Sequence, residues 1–203
     1  MRKRIGRILP ALLALVLSAG LYAQQSLLTG IQSGAVRADF SGTGGSSGDS
    51  VKVRVAKGPK AAPGPAEYTV PEGSQLASSD AAAQSMTILG VKGRVISETS
   101  YEPAFSITVP EKGSATYMLA AFCVEFHKEN PSESTHFTLQ PPDSTLACIA
   151  KNGKNLSLAA YQAAVWMYTD QATFDEVNEK FDVSRPDWAK GEAVLRRCRP
   201  SGR

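Results

Sequence analysis

The stretch ATYMLAAFCVEFHK, residues 115–128, sets the frame for the fold. It holds no glycine or proline and is rich in aromatic and aliphatic side chains, so it reads as one long β-strand. Side chains alternate across a strand, which sends Phe122, Val124 and Phe126 one way and Cys123, Glu125 and His127 the other. The apolar set belongs to a core. The opposite set lines up a thiol, a carboxylate and an imidazole.

Strand chemistry extends outward from this stretch on both sides. MTILGVKGRVIS (86–97), AFSITVP (104–110) and THFTLQ (135–140) are rich in β-branched and aromatic residues, and EKGS and ENPSES break the runs as turns do. Nearer the N-terminus, AVRADF (35–40) and VKVRVA (51–56) alternate apolar and polar, with the Gly/Ser-rich SGTGGSSGDS (41–50) as the long connection of a hairpin. KGPKAAPGPAE (57–67) reads as an exposed loop. The segment at 68–86 combines a strand end, turn residues and an Ala-rich part suited to one helical turn.

After LACIAKN (146–152) the apolar period changes from two to 3.6. LSLAAYQAAVWMYTD (156–170) reads as an amphipathic helix capped by Asn155 or Ser157. ATFDEVNEKF (172–181) and PDWAKGEAVLRR (186–197) read as two further helices, the last with proline in its first turn. Strands first and helices last predict an α+β fold, an antiparallel β-sandwich or barrel-like layer followed by a small helical layer. The expected organisation is a leader at 1–23, a flexible segment with the first strand at 24–50, and one domain at 51–203. Within that domain, 51–150 is β-rich and 155–198 helical.

The leader combines the basic MRKRIGR with the apolar ILPALLALVLSAGLYA, and cleavage is expected between Ala23 and Gln24. An uncleaved membrane anchor is the alternative. Four of the 22 Lys and Arg lie in this leader, which leaves 18 basic against 19 acidic residues in the mature chain. Such a balance gives no electrostatic footprint for nucleic acid, and membrane contact is expected only through the N-terminal signal. Two histidines support no metal site, and the acids of 169–181 have no calcium-loop spacing, so no cofactor is expected.

Export makes an odd number of cysteines informative. Cys148 and Cys198 lie near segment ends, where a disulfide would tie down the last helix, leaving Cys123 over. Within the helix at 156–170, Leu158, Gln162 and Trp166 form one i, i+4 row, so Gln162 falls on the apolar side. An unpartnered buried carboxamide costs roughly 1–3 kcal/mol. Gln162 therefore has hydrogen-bond partners, or its side chain is no longer a free amide.

Two short patterns bear on that choice. Phe122-Cys123-Val124 followed by Glu125, and Tyr161-Gln162-Ala163-Ala164-Val165-Trp166, resemble the motifs of the thioester domains of bacterial surface proteins. Here 39 residues separate Cys123 from Gln162, a shorter interval than in the best-known adhesins of that family. The resemblance implies an internal thioester between the Cys123 sulfur and the Gln162 side-chain carbonyl. It further implies an exported, secreted or cell-surface module that acylates a lysine amine on a surface or host protein, once per molecule and without turnover. Trp166 and Tyr161 would keep the bond dry, and Glu125 or His127 would accept the proton of the incoming amine.

Two alternatives stand beside it. One is a noncovalent secreted β-rich module in which Gln162 is bonded to backbone. The other is a cysteine hydrolase or transamidase with His127 or His136 as base, which the four-residue spacing of Cys123 and His127 along one strand disfavours.

Overall fold

The computed structural model describes residues 25–199, so the leader and the Ala23–Gln24 junction lie outside the described residues. The chain starts with β1 (Gln25–Ser26) and α1 (Leu27–Gln32), followed by the hairpin of β2 (Val36–Gly42) and β3 (Ser47–Lys57). Next come β4 (Ala66–Thr69), β5 (Ser74–Ser78), β6 (Met86–Ser97), β7 (Ser100–Pro103) and β8 (Ile107–Val109). The long β9 (Ser114–Cys123) and β10 (His136–Pro142) complete the strands. Four helices follow: α2 (Ser144–Asn152), α3 (Leu158–Thr169), α4 (Phe174–Lys180) and α5 (Arg185–Cys198).

The main sheet runs β5-β10-β2-β3-β9-β6-β7, and β5 also pairs with β6. Six strands thereby close on themselves, with β7 flanking β6, and every pairing in this sheet is antiparallel. Closure removes the exposed edges that an open sheet would carry. A small second sheet joins β1 parallel to β4 and β4 antiparallel to β8. Tyr117 of β9 pins it to the barrel: its hydroxyl donates to the Thr108 carbonyl and accepts from the Thr108 N–H, both at 3.0 Å. The fold is α+β, a mostly antiparallel β-barrel or sandwich with a helical layer.

Residues 25–32, expected within the flexible part of 24–50, form β1 and α1 with Leu27 fully buried, and the strand expected at 35–40 is β2, lying between β10 and β3. Ser26 caps α1 by accepting from the Thr29 N–H, a local signal too short for periodicity to reveal. The Ala-rich part of 68–86 forms turns rather than a helical turn, and α2 is a full helix capped by Asp143, whose carboxylate accepts from Thr145 and Leu146.

The strand reading of 115–128 also stops early. β9 ends at Cys123, which pairs with Met86, the first residue of β6. Beyond that point β6 offers no partner, and the chain turns away. Val124 N–H still reaches the Ser85 carbonyl, and Phe126 N–H bonds to the Asp170 carboxylate at the end of α3. Glu125 and His127 therefore sit on a turn and share no strand face with Cys123.

α3 is not amphipathic. Every residue from Ala160 to Met167 is buried, whereas Leu158, at the start of the supposed core stripe, is 55 % exposed. A helix buried all round needs cover on both sides. The barrel strands β3 and β9 cover one side and α5 the other. Gly191 lets α5 approach so closely that a Cβ there would lie 2.4 Å from the Ala160 carbonyl oxygen. The Cys148–Cys198 disulfide ties α5 to α2 across 50 residues, as expected, and chain-entropy reasoning assigns such a closure about 4 kcal/mol.

Candidate functional site

Cys123 closes β9, and Gln162 lies mid-way along α3, whose first turn is capped by Ser157 accepting from the Ala160 N–H. The helix lies across the sheet so that the carboxamide meets the cysteine backbone. Gln162 Nε2 donates to the Cys123 carbonyl at 2.8 Å, and Cys123 N–H donates to Gln162 Oε1 at 3.2 Å. The same N–H also reaches the Ser46 carbonyl at 3.0 Å. Both residues are completely buried. A glutamine on an apolar helix is thus explained: its donor and its acceptor each have a partner, and that partner is the residue carrying the odd thiol.

Cys123 has no disulfide partner, since Cys148 and Cys198 are bonded to each other. Burial pushes its thiol up to about 12, and the nearby Glu125 charge adds to the effect. At neutral pH the sulfur is protonated. A site that relied on a free thiolate would need the opposite environment.

Glu125 is held in place rather than free to act. Its carboxylate accepts from the Ser85 N–H at 2.7 Å and pairs with Lys128. Burial alone would raise its pKa, but the hydrogen bonds from Lys128 and Ser85 outweigh it, and the carboxyl titrates below its ordinary value. His127 packs edge-on against Phe126, and His136 pairs with Asp39 on the outside of the barrel, so neither imidazole is joined to Cys123.

Aromatic residues of β9, the turn after it and α3 pack against one another. Tyr161 stacks on Phe122 with ring centroids 4.2 Å apart, and burial, with Glu72 nearby, raises its phenol. Trp166 meets Phe126 and Phe181 edge-on at 5.0 and 5.3 Å. Asp170, absent from the sequence-based candidates, holds the turn after Cys123 to α3. Its position just after the helix was the only sequence signal for that role.

Two hollows lie along α3, one lined by Trp166 and one by Leu158. On the Trp166 side is a polar cavity of about 250 Å³, lined by Ser46, Gln84, Phe126, His127, Trp166 and Lys180 among others. Trp166 Nε1 and Gln84 Oε1 are buried without hydrogen-bond partners. On the Leu158 side is a wider groove of about 900 Å³ floored in part by Phe122. Among the described residues no cluster of three or more His, Cys, Asp or Glu side chains is arranged to hold a metal ion, and no helix is long and apolar enough to cross a membrane. Comparison with known proteins finds no matching family model, no matching curated protein and no matching solved structure.

Proposed function

We propose that Cys123 and Gln162 form an internal thioester, and that the protein is an exported module that acylates an amine on a partner. The observation that carries this reading is the reciprocal contact of the Gln162 carboxamide with Cys123, fully buried, at the one cysteine outside the disulfide. Proximity of this kind replaces a bimolecular encounter with an intramolecular one.

The Cys123 sulfur bonds to the Gln162 side-chain carbon, the carbon–nitrogen bond breaks, and the thiol proton leaves with the nitrogen as ammonia. The raised thiol pKa means that this proton travels with the reaction rather than being lost beforehand. Cys123 N–H, already on Oε1, lies where negative charge gathers on the oxygen of the tetrahedral intermediate. Burial keeps water from the bond. A partner amine then attacks the same carbon, the carbon–sulfur bond breaks, and the sulfur regains a proton from the amine.

The noncovalent reading has its own support: the carboxamide is already satisfied by hydrogen bonds, so it needs no reaction to be stable in place. Intact mass of the purified protein separates the two. Loss of one ammonia from the sequence mass, followed by uptake of one methylamine at Gln162, supports the thioester. Full sequence mass with Cys123 alkylatable after denaturation leaves the noncovalent module.

A further inference from the structure

β2, β3 and β9 are neighbours in the main sheet, and alternation along each strand turns one set of side chains into the core and the other to the outside. Phe40, Val53 and Tyr117 belong to the buried set. On the outer face the register places Arg54 of β3 between Asp39 of β2 and Thr116 of β9, and Lys52 between Ser41 and Met118. One step further along, Ala56 lies between Arg37 and Ser114.

Three cations and one carboxylate share this patch. Lys52 and Arg54 are two residues apart on one strand, about 7 Å, and Arg37 is the diagonal neighbour of Arg54, roughly 7–8 Å away. Among the described residues none of the three is in an ion pair. Asp39, the carboxylate of the patch, lies 2.9 Å from His136 Nδ1. Arg54 donates from Nε to Ser114 Oγ at 3.0 Å, and a surface hollow of about 360 Å³ is bordered by Arg37, Asp39, Arg54, Gly113 and Ser114. Like charges held this close without counter-charges repel one another, and an anionic ligand relieves the repulsion. The excess is local, because outside the leader the chain carries 18 basic and 19 acidic residues.

The remaining positions narrow the class of anion. Ser41, Ser114 and Thr116 stand among the cations, and their hydroxyls can donate to and accept from the hydroxyls of a sugar. None of the outward positions on these three strands within the patch is aromatic, so no ring is present for a nucleic-acid base to stack on. Met118 is the one large apolar side chain, too little to seat the face in a bilayer interface.

We propose that this face binds an anionic polysaccharide, with its acidic groups on Arg37, Lys52 and Arg54 and its hydroxyls on the intervening serine and threonine side chains. Cys123 and Gln162 are no part of this surface, so the proposal goes beyond the acylation reading and does not depend on it.

The test is equilibrium binding of fluorescein-labelled heparin to the purified protein, followed by anisotropy. Affinity should fall as salt rises, because exposed charges are screened over about 8 Å at physiological ionic strength. Replacing the cations together, Arg37→Gln, Lys52→Gln and Arg54→Gln, should weaken binding about tenfold, the combined effect of three exposed charge pairs. Asp39→Asn should instead tighten it, by about threefold, which a misfolded variant would not do. Lys151→Gln, Lys190→Gln and Arg197→Gln together delete as many exposed charges from the helical layer and should leave binding within about twofold of the parent. No binding by the parent, undiminished binding by the first triple variant, or equal weakening by both would overturn the proposal. Oligothymidylate or phosphatidylglycerol vesicles held as tightly as heparin would overturn it too, because the face would then select for charge and not for a glycan.

Discussion

Gln162 and Cys123 hold each other through two hydrogen bonds, the side-chain amide of one against the backbone amide of the other, at 2.8 and 3.2 Å. The contact joins the helical layer to the last residue of β9, so one glutamine serves the packing of two layers and the candidate chemistry together. Loss of Nε2 as ammonia would remove the donor to the Cys123 carbonyl. An amine acyl product would restore an N–H on the same carbon, which favours the acylated product over the thioester on hydrogen-bonding grounds alone.

Gln162→Ala should therefore do more than remove a reactive group. It leaves the Cys123 carbonyl buried without its donor, at about 1–3 kcal/mol, in addition to the void. Gln162→Glu keeps the shape but sets a carboxylate against that carbonyl at a site with no exposure. Its pKa in the folded state should rise above the usual value of about 4.3. A raised folded pKa means that stability is fully present below the unfolded value and falls as pH climbs through the folded one. Urea unfolding from acid to neutral pH checks this; a Gln162→Glu stability independent of pH would contradict the burial of the pair.

Trp166 separates packing from polarity. Trp166→Ala removes the ring that meets Phe126 and Phe181 and should cost about 3–5 kcal/mol. Trp166→Phe keeps an aromatic ring and deletes the unpartnered Nε1, so its cost should stay below about 1.5 kcal/mol. Thermal or chemical denaturation gives both values. If Trp166 shields a thioester, Trp166→Ala also hydrolyses faster, read as regain of one water in the intact mass.

The legible parts of this fold were those whose signal is local. β6 occupies 86–97, the limits set by its β-branched run, and α3 starts after Ser157, one of the two caps available. The disulfide followed from cysteine count and placement. What stayed hidden depends on neighbours distant in the chain. Alternation through Phe126 gave no sign that β6 would run out opposite Cys123. The apolar stripe of α3 suggested one buried face, because nothing near it announced that Gly191 would bring α5 onto the other. α2 carried its own signal in Asp143 and the spacing of Leu146, Ile149 and Ala150, yet its short length left it indistinct from a connection.

Glu125 links the turn after β9 to acid stability. Its folded pKa lies below its ordinary value because Lys128 and the Ser85 N–H outweigh burial. A depressed folded pKa contributes stability above the unfolded value, near 4.5, and that contribution disappears as pH falls through the folded one. Glu125→Gln should thus be less stable than the parent at neutral pH and converge with it in acid. The same variant removes the charge that helps raise the Cys123 thiol, so that thiol should titrate below about 12. A stability gap that persisted unchanged in acid would show that geometry, not charge, accounts for the role of Glu125.

Gly191→Ala sets helix propensity against packing. On an isolated helix the change should stabilise by about 1 kcal/mol, because alanine loses less backbone freedom on folding. Here the added Cβ would sit 2.4 Å from the Ala160 carbonyl oxygen and 3.2 Å from the Ala164 nitrogen. These are backbone atoms and cannot swing aside, so α3 and α5 must separate, at roughly 1–3 kcal/mol for overpacking. Net destabilisation is expected in chemical unfolding. The displacement also acts on Gln162, which lies on the same helix between Ala160 and Ala164 and must keep its register against β9. Amide exchange at Cys123 N–H, whose two acceptors are Gln162 Oε1 and the Ser46 carbonyl, should accelerate in Gly191→Ala. Unchanged protection at Cys123 together with lost global stability would mean that α5 moves alone, and that the sheet, not the outer helix, keeps α3 in place.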